Sequence, residues 1–444
     1  MSRLRLLRRA AQLGLTANAL RPARALWASI PAFFAGWLTA ELAPHLLLAQ
    51  TAEAATQLAR RQYRTGGDRA ALAMSALSIA GLGALVVSGR GARAEVEKAL
   101  RETLGEDYQS GLERLPLAAD LAVPWRDLLV PFRMRNPEVV RSRDVAYAPG
   151  SRRFRLDVFH HEKRPAGRPV LLHVHGGAWV VGNKDQQGIP LMLHMAARGW
   201  VCVSANYPLA PRSRWPEQVI ALKRALAWIR EHGEEYGADP SFVVVTGGSA
   251  GGHLAALLAL SQNDPAFQPG FEDADTSVQG CVPHYGVYDF AAETGTRATK
   301  QRLRWLSRTV VGVDPVRHPE VYRAASPLAR VAPDAPPFFV IHGHDDSLVP
   351  VPEARAFVDA LRAVSHNPVV YAELAGAQHA FDIFPSIRSA HVVRGVERFL
   401  DWTYRRSLPG SLPGQAEQPL ADDVQQDLRG ATGDAQASGE QELV

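Results

Sequence analysis

The residues Gly247-Gly248-Ser249-Ala250-Gly251 constrain this chain more than any others. The apolar run Phe242-Val243-Val244-Val245 leads into them, and Leu254-Ala255-Ala256-Leu257-Leu258 follows. A short Val-rich run suits a strand buried on both faces, and the Ala/Leu run suits a packed helix. A serine among glycines at such a strand-to-helix turn reads as a nucleophile elbow. The turn is so tight that only small neighbours fit. The hydroxyl then projects above the sheet edge, near the positive end of the next helix. The plainer alternative is a glycine-rich turn that only joins two packed elements.

From about residue 139 to 406 the chain alternates strand-like and helix-like segments, which predicts an α/β fold with a mostly parallel sheet and helices on both faces. Strand candidates are residues 154–159, 170–174, 201–205, 242–246, 279–284, 338–342 and 369–373. Val219, Leu222, Leu226 and Ile229 share one helical face after the third of these. Residues 289–330 break the alternation with an Arg-rich helical stretch that includes Trp305 and Leu306. An insertion there predicts a cap over the catalytic edge. Residues 94–138 read as a helical connector, with Trp125 and Phe132 packing near the main domain. Residues 407–444 are acidic, rich in Pro, Gly and Gln, and read as a disordered tail.

An activated serine needs a base, the base needs an orienting acid, and the developing oxyanion needs donors. All have candidates, in the order Ser, Asp, His. His175-Gly176-Gly177-Ala178-Trp179 follows the strand at 170–174. Glycines let backbone N–H groups turn toward a ligand. The amides of Gly176, Gly177 and Ala250 are therefore the expected oxyanion donors. Asp346 follows the strand at 338–342, and its offset from His342-Gly343 and Val349-Pro350 selects it as the acid; its neighbour Asp345 stays open as the alternative. His379 lies in the loop after the last strand and is the expected base. The chemistry implied is acyl transfer in two steps, with attack by Ser249 followed by water.

Carried by His175-Gly176-Gly177, Asn206-Tyr207-Pro208-Leu209-Ala210-Pro211, residues 247–252, Asp346 and His379, residues 139–406 resemble the hormone-sensitive lipase branch of the α/β-hydrolases, and mycobacterial carboxylesterases in particular. The resemblance implies an α/β-hydrolase fold and hydrolysis of short- to medium-chain carboxylic esters without metal or organic cofactor. Two positions depart from it: Gly248 stands where many relatives carry Asp, and Ala178 stands in place of a third loop glycine. His-Gly-Gly-x-Trp together with Gly-Gly-His after the elbow also resembles arylformamidases, so an aryl-formamide hydrolase is the alternative activity. From another class, a catalytically silent hydrolase fold tethered to a membrane as a binding module is the competing reading. The resemblance does not reach residues 1–93.

Those first residues differ from the rest. Residues 1–24 hold six arginines and no acid. Residues 25–40 are uncharged and aromatic, with Trp27, Phe33, Phe34 and Trp37, and Glu41 interrupts them. A second uncharged stretch spans residues 70–89, long enough to cross a bilayer core as a helix. A helical membrane hairpin or surface anchor is the expectation, with membrane lipid as partner and both ends in the cytoplasm. Glu41 opposes the hairpin, since an acid near a span centre costs about 2.5–3.5 kcal/mol. A soluble pair of core helices is the plainer reading. Net charge is +4 over 444 residues, with no central basic stripe, so nucleic acid is not an implied partner. Cys202 and Cys281 read as buried free thiols.

Overall fold

A computed structural model describes residues 2–23, 29–115 and 122–408. Trp27 and residues 409–444 of the acidic tail lie outside the described residues. The sheet has eight strands: β1 (Val139–Ala146), β2 (Arg155–His161), β3 (Arg168–Val174), β4 (Val201–Ala205), β5 (Ala238–Gly248), β6 (Gly280–His284), β7 (Phe338–Gly343) and β8 (Val369–Leu374). Their spatial order is β1-β2-β4-β3-β5-β6-β7-β8. The β1–β2 and β2–β4 pairs are antiparallel and all others parallel. The chain is thus the mostly parallel α/β protein that its alternation implies.

Side-chain alternation divides the core between the two faces of the sheet. Val170, Leu172, Val243 and Val245 enter one apolar cluster, while Leu171, Phe242 and Val244 enter another. The helix Glu217–His232 buries Val219, Leu222, Leu226 and Ile229 together. β3 leads to β4 on one side while β5 lies on the other. The crossovers therefore leave a crevice beyond the carboxyl ends of these strands, where ligands of open α/β sheets bind. Residues 289–330 carry the helices Arg297–Leu306 and Pro319–Ala324. Trp305 from the first lies 6.3 Å from Trp179, so this stretch stands beside the loop after β3. Cys202 and Cys281 are buried free thiols.

The amino-terminal region forms four helices, α1 (Ser2–Leu20), α2 (Ser29–Glu41), α3 (Ala43–Ala59) and α4 (Gly66–Leu104). No helix or strand ends near residue 93. α4 runs unbroken through it, started by a reciprocal Thr65/Asp68 cap. The region read as a connector therefore begins inside a helix, for a packing reason. The first half of α4 buries Leu82 and Leu85 against the other amino-terminal helices, and its second half puts Val96 and Leu100 into the core beneath the sheet. The helices pack so closely there that a Cβ on Gly395 would lie 2.1 Å from Val96 Cγ1.

Glu41 is not a stray acid in an apolar span. It accepts from Ser386 Oγ at 2.6 Å and pairs with Arg388, both ions being almost wholly buried. These partners belong to the far end of the chain, and a hairpin drawn into lipid would separate them. α4 is long and apolar enough to cross a membrane by length and composition, whereas α2 and α3 are bent by 77° and qualify only as a broken span. The amino-terminal arginines are also engaged internally. Arg5 lies 3.1 Å from Asp68, Arg8 lies 2.8 Å from Glu53, and Arg9 is buried against Glu53.

Removing one partner of a buried ion pair strands the other charge, at a cost of about 3–5 kcal/mol. Glu41→Ala is expected to destabilise the full chain by roughly that amount in urea unfolding. The double variant Glu41→Gln with Arg388→Met is expected to recover most of the loss.

Candidate active site

β5 ends in a sharp turn at Ser249. Ser249 has φ 59 and ψ −120, a backbone state that L-residues occupy only when their surroundings enforce it. The helix Ala250–Ala259 starts directly behind it. A Cβ on Gly251 would lie 2.0 Å from the Val174 carbonyl oxygen, so no other residue fits that approach. Ser249 N–H donates to the His284 carbonyl at 3.0 Å, and the side chain stays half-exposed at the apex.

The loop after β3 touches this apex. A Cβ on Gly176 would meet Ser249 Cβ at 3.1 Å. Gly177, Ala178 and Trp179 all have positive φ, at 116, 52 and 60. A Cβ on Gly177 would lie 2.2 Å from the Val181 carbonyl oxygen. The structure corrects one donor assignment. Gly176 N–H is already committed to Gln187 Oε1 at 2.7 Å. The amides of Gly177, Ala178 and Ala250 donate to no acceptor among the described residues. The Trp179 indole donates to His253 Nδ1 at 3.2 Å, and His253 Nε2 lies 2.8 Å from the Ala325 carbonyl. Burial pushes His253 down to about 3, so a neutral ring with its proton on Nε2 ties the loop to the 289–330 stretch.

His379 and Asp346 come together from the loops after β8 and β7. His379 Nδ1 is 2.6 Å from Asp346 Oδ2. Asp346 Oδ1 accepts from the Leu348 and Val349 amides, each at 2.8 Å. His342 Nε2 lies 3.4 Å from Oδ2. Burial alone would push this carboxyl up. The His379 charge and hydrogen bonds from His342 and His379 outweigh it and hold Asp346 well below the usual carboxylate range. An ionised acceptor on Nδ1 places the ring proton there and leaves Nε2 with a lone pair. The carboxylate on the ring is Asp346 and not Asp345, which is half-buried beside it.

Gln378 braces both loops: its Oε1 accepts from Ser347 N–H at 2.7 Å and from His379 N–H at 2.9 Å. The Tyr285 ring links the two halves of the site. Its centroid lies 4.7 Å from that of His379, and its hydroxyl would be 2.6 Å from a Cβ on Gly248. No hydrogen bond joins Ser249 Oγ to His379 in this structure. From α2, Phe33 meets the imidazole edge-on at 5.7 Å. No motif in the sequence marks Gln187, Tyr285 or Gln378, and Phe33 reads there only as part of an apolar amino-terminal stretch. Among the described residues no group of acids, histidines or cysteines has the arrangement of a metal site.

A family model described as BD-FAE matches residues 156–361. The probable carboxylic ester hydrolase LipM of Mycobacterium tuberculosis (strain ATCC 25618 / H37Rv) is 44% identical over 413 residues, covering 90% of this chain and 93% of LipM. This chain belongs to that family of mycobacterial esterases. Esterase LipC of the same organism is 41% identical over 320 residues, covering 70% of this chain and 78% of LipC. A tenth of the chain lies outside the LipM match, fewer residues than the first 93. The likeness therefore takes in part of the amino-terminal region, which the resemblance in the sequence was not expected to reach. Solved esterases share the α/β-hydrolase fold. Esterase B from Lactobacillus rhamnosis superposes with a TM-score of 0.53 at 20% identity over 62% of this chain and 91% of its own. Thermogutta terrifontis Est2 gives 0.51 at 23% identity over 63% and 100%.

The depressed acidity of Asp346 makes a testable statement about stability. Its contribution is fully present above the unfolded carboxyl value, near pH 3.9, and is lost as pH falls toward the lower folded value. The stability difference between the esterase and Asp346→Asn is expected to be constant near neutrality and to shrink by about 1.4 kcal/mol per pH unit below about pH 4. Urea unfolding from pH 7 to pH 3 measures it, and a difference unchanged at pH 3 contradicts the assignment.

Proposed function

We propose that this chain is a serine carboxylesterase that hydrolyses short- to medium-chain carboxylic esters, with Ser249 as nucleophile, His379 as proton carrier and Asp346 as its orienting carboxylate. The observation that carries this reading is the 2.6 Å Asp346–His379 contact beside a serine held at φ 59. His379 Nε2 takes the Ser249 proton as Oγ attacks the carbonyl carbon, and the carbonyl electron pair moves onto oxygen. That oxyanion is stabilised by the amides of Gly177 and Ala250. Ala178 replaces Gly176 as the further donor, because Gly176 N–H is held by Gln187. Collapse expels the alcohol, which takes the proton from Nε2. Water then gives a proton to Nε2, attacks the acyl carbon, and the acid leaves as the proton returns to Ser249. Serine–histidine contacts often tighten only with substrate present, which fits the open Ser249 hydroxyl.

The same surface supports docking on a membrane from the cytoplasmic side, rather than an amino-terminal anchor that spans it. Ile30, Phe34 and Leu38 are exposed along one stripe of α2. Trp125, Leu129, Val130 and Phe132 are exposed nearby. An aromatic chain joins the two groups to the site: Phe33 contacts Phe34, Trp37 and His379, Trp37 contacts Phe384, and Phe384 contacts Phe132. Exposed Arg126, Arg133 and Arg135 rim the second group. Apolar and aromatic side chains edged by cations suit an anionic lipid interface.

Ser249→Ala is expected to abolish fluorophosphonate labelling and to lower kcat for p-nitrophenyl butyrate by about 10⁴-fold or more. Labelling that survives the substitution sinks the nucleophile assignment. A faster reaction with an N-formyl arylamine than with any p-nitrophenyl ester would transfer the activity to aryl-formamides. For the surface, the full chain is expected to co-sediment with vesicles containing phosphatidylglycerol, and Leu129→Ser with Phe132→Ser to weaken this several-fold. Equal recovery in the supernatant with and without vesicles contradicts docking.

A further inference from the structure

Among the described residues, five of the ten non-glycine residues with positive φ surround the site: Ala178, Trp179, Ser249, Tyr285 and Ala380. Four of them belong to the elbow, the loop after β3 and the loop after His379. Tyr285, at φ 38, belongs to none of these. A bulky residue in this region is an outlier that its surroundings must enforce.

What enforces it is a second acid–imidazole pair. Asp382, three residues after His379, lies 2.7 Å from His284 Nδ1 through its Oδ2. Its other oxygen accepts from the Tyr285 hydroxyl. Tyr285 N–H donates to the Ile341 carbonyl at 2.7 Å. Both His284 and Tyr285 are nearly inaccessible. A cavity of about 10 Å³ lined in part by His173, Gln187, Thr246, His284 and Asp382 lies behind them, the volume of a single water site. Nothing in the hydrolytic cycle uses this cluster. Yet it meets the cycle at two points, through the Tyr285 ring on His379 and the His284 carbonyl on Ser249 N–H.

We infer that Tyr285 is a positioning residue for His379, and that the Asp382–His284 pair locks it in place. The inference rests on the Ser249–His379–Asp346 reading above. Asp346 fixes only one corner of the imidazole, and rotation about that bond would carry Nε2 away from Ser249. The Tyr285 ring, tilted 58° to the imidazole at 4.7 Å, closes off that rotation on one side, and Phe33 faces the ring from α2. The phenol donates and the carboxylate accepts, so the lock needs a proton on Tyr285 and an ionised Asp382. Burial, then the Asp382 charge, push the phenol well above its ordinary value. Burial would raise Asp382, but the nearby His284 charge and the hydrogen bond from Tyr285 keep it low. The ring also lies against the imidazolium formed at each transfer, and the anion on its hydroxyl stabilises that charge. The other ionisable groups coupled to this cluster are Asp346 through Tyr285, Glu41 (itself paired with Arg388) through Asp382, and His173 through Asp382 and His284.

Tyr285→Phe keeps the ring and removes one hydroxyl, and Asp382→Asn keeps the shape and removes the charge. For p-nitrophenyl butyrate, each is expected to lower kcat about tenfold while KM stays within twofold, as expected when an interaction acts in the transition state alone. The acid limb of kcat/KM against pH is expected to move to lower pH, because the imidazolium loses support. A purely structural role would lower the melting temperature and leave kcat and the acid limb in place, which overturns the inference. Tyr285→Phe alone decides the matter if Asp382→Asn does not fold. Failure of the nucleophile reading is separately visible, since Ser249→Ala would then keep its labelling.

Discussion

The approach of the helix Ala250–Ala259 to the end of β3 is the contact on which everything else in this molecule depends. Gly251 lies where a Cβ would come within 2.0 Å of the Val174 carbonyl. The helix can start at once only because that atom is missing. Its start forces Ser249 into a left-handed turn and leaves the hydroxyl as the one part of the elbow with room to point outward. The strain is held by the parallel pairing of β5 with β3 and β6 on either side and by Ser249 N–H on the His284 carbonyl.

The remaining loops converge on that point because the strands end in register. Val174 pairs with Gly247, Gly248 with His284, Ile341 with His284, and Gly343 with Leu374. Residues far apart in the chain, Gly176, Ser249, Tyr285, Asp346 and His379, therefore leave the sheet at one edge. Burial then sorts their charges. His253 stays neutral because burial penalises its charged form and outweighs the Ala325 carbonyl, while the Trp179 indole donates to its other nitrogen. Asp346 stays ionised because two amides and two imidazoles surround it. A carboxylate is affordable at such a depth only with that many donors.

The amino-terminal helices change meaning when their partners are seen. Composition gave residues 25–40 and 70–89 the look of membrane segments, and apolar composition suits lipid and protein interior alike. α2 in fact reaches the imidazole through Phe33, and Glu41 closes a buried pair with Arg388. Similarity to LipM across most of the chain is in keeping with a region that is part of the esterase. The apolar side chains still exposed on α2 and around Phe132 form the face that the proposed lipid contact would use.

Seven strands, the strand-to-helix turn at Ser249 and the loop positions of Asp346 and His379 were legible in the sequence, because strand runs, glycine spacing and loop position are local properties. The edge strand β1 was not. Val139–Ala146 carries two arginines and an aspartate, is half-exposed and is bulged between Ser142 and Val145, so it lacks the apolar run by which a buried strand is recognised. The role of Gly176 was misjudged because a glycine pair advertises two free amides, and only packing shows that Gln187 takes one of them. Tyr285 and Asp382 carry no motif, and their link exists only where β6 and the loop after β8 meet. The chain alone determined which reactive groups this protein owns and the order in which they arise. The folded sheet decided which backbone donors remain free, which aromatic rings confine the imidazole and where Glu41 finds its cation, because those are contacts between segments whose separation along the polymer holds no record of their nearness in space.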